Sequence, residues 1–362
     1  MLRRTFVAGL VSLSFAMPAY ADAVSDAMMM VKKHAGKKTI WDGPTSGPKA
    51  VAGKTIVMLA GDMKNGGVLG VVNGVKEAVE TIGWNLRILD GGGSVSGRTA
   101  AFGQAMALNP AGIIINGFDS VEQQTGMAQA RKANIPMVSW HASPTIGPDP
   151  DNGVFANVST DAMQVSAAAA QWAFADAGGK PGVVIFTDST YAIAIAKADE
   201  IKKTIESLGG TVLEYVDTPI SETSTRMSSL TTALLQRYGS KWTHSLAIND
   251  IYFDFMGPAL AAAGIKGDES PKAVAAGDGS QSAYQRIRNA QYQVVTVAEP
   301  LNLQGWQLVD ELNRALNGEK WSGYTSPLHV VTAANISSDG GDKDMFDPGN
   351  NYRMEYAKVW GK

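Results

Sequence analysis

From Lys54 to about Glu299, short aliphatic runs alternate with segments whose apolar residues recur every three or four positions. Runs of that length are strands buried on both faces, and the intervening segments are helices that cover them. The alternation therefore dictates α/β architecture, with parallel sheets sandwiched between helices. Strands are expected at 55–60, 86–90, 112–116, 136–140, 183–187, 211–216, 245–249, 273–276 and 294–299. After the first, Val68, Val71, Val72, Val75, Val79 and Ile82 fall on one helical face, and Gly83 stops the helix.

A chain of 362 residues exceeds the roughly 250 at which single cores stop growing. The same strand-helix unit recurs after Pro181, where a helix over 194–208 ends at Gly209-Gly210, so two similar halves meet near residue 158. Trp306, Val309, Leu312 and Leu316 form the apolar stripe of a last helix. Residues 22–52 read as an extension that packs on a lobe through Trp41.

Residues 1–21 combine Arg3-Arg4, an apolar run from Phe6 to Met17 and the small-x-small triplet Ala19-Tyr20-Ala21, the pattern of a signal peptide cleaved before Asp22. The order Arg3-Arg4-Thr5-Phe6-Val7 also resembles a twin-arginine signal. With no cysteine in the chain, disulfides, thiolate metal sites and cysteine nucleophiles are excluded. A formal net charge of -3 gives no basic footprint for nucleic acid. An exported, disulfide-free protein points to the periplasm.

Motifs for catalysis fail on spacing. The Gly-rich "GPKAVAGKT" precedes a strand, whereas a phosphate loop follows one, and "DGGGSVSG" places Ser96 where a dinucleotide loop needs glycine. His34, His141, His244 and His329 never fall at metal-ligand spacing, and there is no G-x-S-x-G elbow. Catalysis is thus unsupported rather than excluded, and the expectation is a non-enzyme without metal or cofactor.

Ligands of open parallel sheets sit beyond the carboxyl ends of the strands. The residues there are Asp62 and Asn65, Trp140 and His141, Tyr191, Asn249 and Asp250, Asp278, and Glu299. Carboxylates and amides suit vicinal hydroxyls, and the rings of Trp140 and Tyr191 offer apolar faces. Asp90 and Asp119 are expected as turn and helix-cap residues.

In this order and spacing, "TIVMLAGDMKNGGVLGVVNGVKEAVETIGWNLRILD", "GIIINGFDS", "ARKANIPMVSW", "NVSTDA", "LAINDI", "AAGDGS" and "VVTVAEPLNLQGW" resemble the type I periplasmic binding proteins, the ribose-binding-like class that delivers sugars to ABC importers. The resemblance implies two Rossmann-like lobes, 53–158 with 300–327 and 159–299 with 328–362. A three-stranded hinge would cross near 156–160, 298–301 and 326–330. It also implies a monomer that docks on an inner-membrane permease, or on a chemoreceptor as a loaded sensor. It aligns Asn65, Asn249, Asp278 and Glu299 with ligand-contacting positions, Glu299 standing where ribose binders carry glutamine. The chain departs from the class in three places. Gly67 and Val68 replace two aromatic residues, His141-Ala142 replaces an Asp-Arg pair, and Ile195 stands where an arginine is expected, with Lys197 nearby. Lost arginines and gained carboxylates suggest an acidic cleft. It would be balanced by an amino sugar or another small cationic metabolite, by protonated His141, or by Lys64, Lys197 or Arg226 reaching in to leave a neutral sugar or polyol.

Overall fold

Strands β1 (Thr55–Ala60), β2 (Asn85–Asp90), β3 (Ile113–Asn116), β4 (Met137–Trp140), β5 (Gly147–Asp149) and β6 (Val154–Val158) build one sheet. Strands β7 (Gly182–Thr187), β8 (Thr211–Asp217), β9 (His244–Ala247), β10 (Lys272–Ala275), β11 (Gln293–Ala298) and β12 (His329–Thr332) build a second. In this computed structural model, which describes residues 17–338 and 341–362, the sheet orders are β2-β1-β3-β4-β6-β5 and β12-β11-β10-β9-β7-β8. Only β5 and β12 run antiparallel to their neighbours. The fold class is the expected one. Every residue of β3, β4, β7 and β9 is buried, which is why β3 and β7 read as nearly continuous apolar runs rather than alternating ones.

Three strands were not expected. β5, β6 and β12 are short, mix polar with apolar residues, and owe their state to pairing with neighbours already in place.

The chain passes between the sheets after β6, after β11 and before β12. The helix Leu301–Leu316 returns to the first sheet and crosses the helix Gly66–Ile82 at Gly305 and Gly74, where a side chain on Gly305 would strike the Gly74 backbone. Beyond β12 the C-terminal helix Tyr352–Trp360 also lies against the first unit, its Trp360 ring parallel to Trp306 at 5.4 Å. The expected second lobe, drawn as 159–299 with 328–362, therefore does not describe this last helix. An aromatic stack recruits it to the other core.

The extension likewise divides. Helix Met17–Ala35 buries Ala27 and Val31 in second-unit clusters, whereas Trp41 sits 5.3 Å from both Tyr324 and Tyr356 of the first. The expected signal segment lies largely in residues 1–16, outside the described residues, and the described helix runs through the expected cleavage point.

Candidate functional site

The carboxyl ends of β1, β3 and β4 face those of β7, β9 and β10 across a cleft with about 620 Å³ of space, counting its opening to solvent. Asp62, Asn65, Trp140 and His141 line it from the first unit, and Tyr191, Lys197, Asn249 and Asp278 from the second.

Local structure fixes each side chain. Asn65 caps the helix Gly66–Ile82, its Oδ1 accepting the Gly67 N–H at 2.9 Å. Asn249 does the same for the turn after β9, accepting from the Ile251 N–H at 2.9 Å, and its Nδ2 donates to Asp278 Oδ2 at 2.6 Å. His141 has a left-handed backbone, φ 53°, which turns its ring back over Trp140, parallel at 3.7 Å. That ring covers a stacking face of Trp140, whose Nε1 donates to Gln304 at 2.8 Å. Trp140 thus supports His141 more than it offers a platform.

Glu299 does not line the cavity. Its side chain is fully buried at the crossover after β11, where it gathers four partners. His141 Nε2 lies 3.1 Å away, Lys197 Nζ 3.5 Å, the Thr160 N–H 3.2 Å and Gln304 Nε2 2.9 Å. Gln304 also donates to Ser326 at 3.0 Å, which pairs with Thr160 Oγ1 at 3.0 Å. Thr160, Glu299 and Ser326 belong to the three crossovers, so one carboxylate joins the pocket to the whole hinge.

Lys197 is buried and stands between two acids, 3.5 Å from Glu299 and 3.6 Å from Asp278. Burial pushes the Asp278 carboxyl above its ordinary value despite Lys197 and His141, with Glu299 repulsion adding to the rise. Burial acts on Glu299 too, but there the attraction of His141 and Lys197 and hydrogen bonds from His141 and Gln304 outweigh it, holding its pKa well below the usual range. Oxygen and nitrogen atoms of His141, Asp278 and Glu299 fall within 4.8 Å of one another, a metal-like spacing. The Lys197 ammonium already supplies positive charge at that point.

Asp250 does not reach the cleft. It is wholly buried and accepts from the Gly279 N–H at 2.8 Å, the Ser280 N–H at 3.1 Å and Gln293 Nε2 at 2.6 Å. Burial pushes its carboxyl up to about 6 although Arg286 and these donors pull the other way. Its expected ligand contact is corrected to a structural one: it braces the turn that presents Asp278.

Asp119 is a cap, but not for its own helix. Its Oδ2 accepts the Ala192 N–H at 2.9 Å, at the start of the second unit's helix Ala192–Ser207. Burial pushes this carboxyl up to about 6. Sequence reasoning missed the aliphatic lining, Val68, Ile193, Ala194, Ile220 and Ile248, because apolar residues at helix starts look like core. It also missed Thr160, Gln304 and Ser326. The one signal was a glutamine amid the apolar residues of the last helix.

The model of the periplasmic binding protein domain matches residues 56–320. The chain belongs to that family of binding proteins. Among solved structures, a sugar ABC transporter protein from Yersinia enterocolitica is 15% identical, with 92% of this chain and 97% of that one covered and a TM-score of 0.70. An ABC transporter solute-binding protein from Agrobacterium vitis bound with α-D-tagatopyranose is 17% identical over 81% and 99%, with a TM-score of 0.70. Another from the same organism, with bound allitol, is 20% identical over 79% and 97%, with a TM-score of 0.67. No curated protein matches the sequence. At such identities the solved structures establish the shared fold, and the binding-protein family places the chain among binders rather than enzymes.

Proposed function

We propose that this periplasmic binding protein is the solute-binding component of an ABC importer, and that it closes its two lobes on a small neutral sugar or polyol in the periplasm and hands it to the membrane permease. The observation that carries this reading is the position of Lys197 between Asp278 and Glu299. Buried carboxylates need partners, and here the protein supplies them, so the ligand need not be a cation. The acidic-cleft expectation gives way to a cleft with built-in balance. The solutes named for the two Agrobacterium vitis proteins, a ketohexose and a polyol, are likewise uncharged.

A thermal-shift panel of pentoses, hexoses, polyols and their amino counterparts tests it on the mature protein. A ligand at a hundred times its Kd adds about 2.7 kcal/mol of stability. Stabilisation by a neutral sugar or polyol is expected. Stabilisation by amino compounds alone would overturn the neutral-ligand reading.

A further inference from the structure

Away from the Glu299 network, the two units touch at a second place. The helix Ala192–Ser207 of the second unit begins without a cap of its own, because the residue before it is Tyr191, whose side chain makes no capping bond. The first N–H groups of a helix need acceptors from outside it. The Ala192 N–H finds one in Asp119 Oδ2 of the first unit, at 2.9 Å. Opening the cleft strips this helix of that cap.

Tyr191 reaches the first unit as well. It packs against apolar clusters of both units, and the Arg98 guanidinium stands 6.0 Å from its ring centre, within the range of a cation–π attraction. Arg98 is held in place by its own unit: its Nε and Nη2 donate to Glu122 at 2.8 and 2.5 Å, and the Phe118 ring lies 5.7 Å away. Tyr191 lines the solute cavity, whereas Arg98 and Asp119 do not. These two residues therefore act on the other lobe and not on the solute. Closing this corner also carries a cost. Among the described residues, Arg98 Nη1 and Asp119 Oδ1 are buried without a partner, and that desolvation keeps the contact reversible.

We infer that Arg98 and Asp119 of the first unit, with Tyr191 and Ala192 of the second, form a protein-only latch that draws the lobes shut for part of the time even without solute. Arg98 is a positioning residue of this latch, acting through the Tyr191 ring.

The chain has no cysteine, so Gln104→Cys and Lys202→Cys, at exposed positions of the two units, carry a pair of spin labels without further change. The labelled protein is stripped of solute by dialysis from urea and refolded, and pulsed electron resonance then reads its closed and open separations. A closed population is expected. Arg98→Met and Tyr191→Ala should each lower the closed-to-open ratio about 5-fold, while Tyr191→Phe, which keeps the ring, should retain most of it. The Arg98→Met/Tyr191→Ala double variant should fall no further than Tyr191→Ala, since Arg98 acts through that ring. A solute-free protein that is open throughout, a ratio that is the same in every variant, or additive losses in the double variant would each overturn the latch. Because no solute is present, failure of the latch would leave the sugar-or-polyol reading standing, and failure of that reading would leave the latch.

Discussion

The two ends of the cleft are built on different principles. At the hinge end, polar groups are buried and bonded to one another, with Glu299 holding His141, Lys197 and two crossovers directly. At the outer end, Ile193 and Ala194 line the cleft from the helix Ala192–Ser207, whose first N–H is held across the cleft by Asp119, and Asp62, Tyr191 and Ser221 line it beside them. The hinge end is a fixed network that defines the closed geometry. The outer end is built from both units, with Val68 and Asp119 on one and Ile193, Ile220 and Ile248 on the other.

Removing Glu299 should have the largest effect, because it breaks the network and leaves the buried Lys197 with Asp278 as its one acidic partner. Glu299→Ala should lose about 3–5 kcal/mol of stability in urea unfolding together with ligand affinity. Glu299→Gln, which keeps an acceptor, should lose less. The lowered pKa of Glu299 means that its contribution is complete above the ordinary value of 4.5 and is lost as pH falls. The gap between wild type and Glu299→Gln should accordingly shrink in acid. A gap independent of pH would detach the charge from the effect.

At the outer end the sign is opposite. Asp119 rises from 3.8 to about 6 in the folded protein, so its contribution is present below 3.8 and is lost as pH climbs through about 6. The shift corresponds to at most about 3 kcal/mol. Asp119→Asn should flatten the fall in stability across that window. An unchanged slope would mean that the latch does not sense pH.

A smaller effect is expected at Gly67, where a Cβ would collide with the Asp278 carboxylate of the opposite lobe. Gly67→Ala should leave the melting temperature of the ligand-free protein unchanged, since alanine suits the helix at least as well. It should weaken binding about 10-fold by wedging the closed form. Equal affinity would show that the lobes can close around the extra methyl.

The fold was legible because buried parallel strands announce themselves as unbroken apolar runs. β5, β6 and β12 were not, being short and stabilised by their neighbours. Strand ends pointed to Asn65, Trp140, His141, Tyr191, Asn249 and Asp278, all of which line the cleft, as does Asp62. The same rule could not separate Asn249 from Asp250, because adjacent residues turn opposite ways. Asn249 faces the cleft, whereas Asp250 faces the backbone of Gly279 and Ser280. Nor could it show that Glu299 stands behind His141 rather than beside the ligand. That distinction needs the third dimension, since its partners Thr160 and Lys197 lie more than a hundred residues away.

The most direct test of the balanced cleft is calorimetry of a bound neutral sugar and its amino counterpart on wild type and Lys197→Met. Wild type should prefer the neutral ligand, and the variant, left with two buried acids and no ammonium, should shift the ratio about 10-fold or more toward the amino ligand. An unchanged ratio, or a wild-type preference for the amino sugar, would contradict the account.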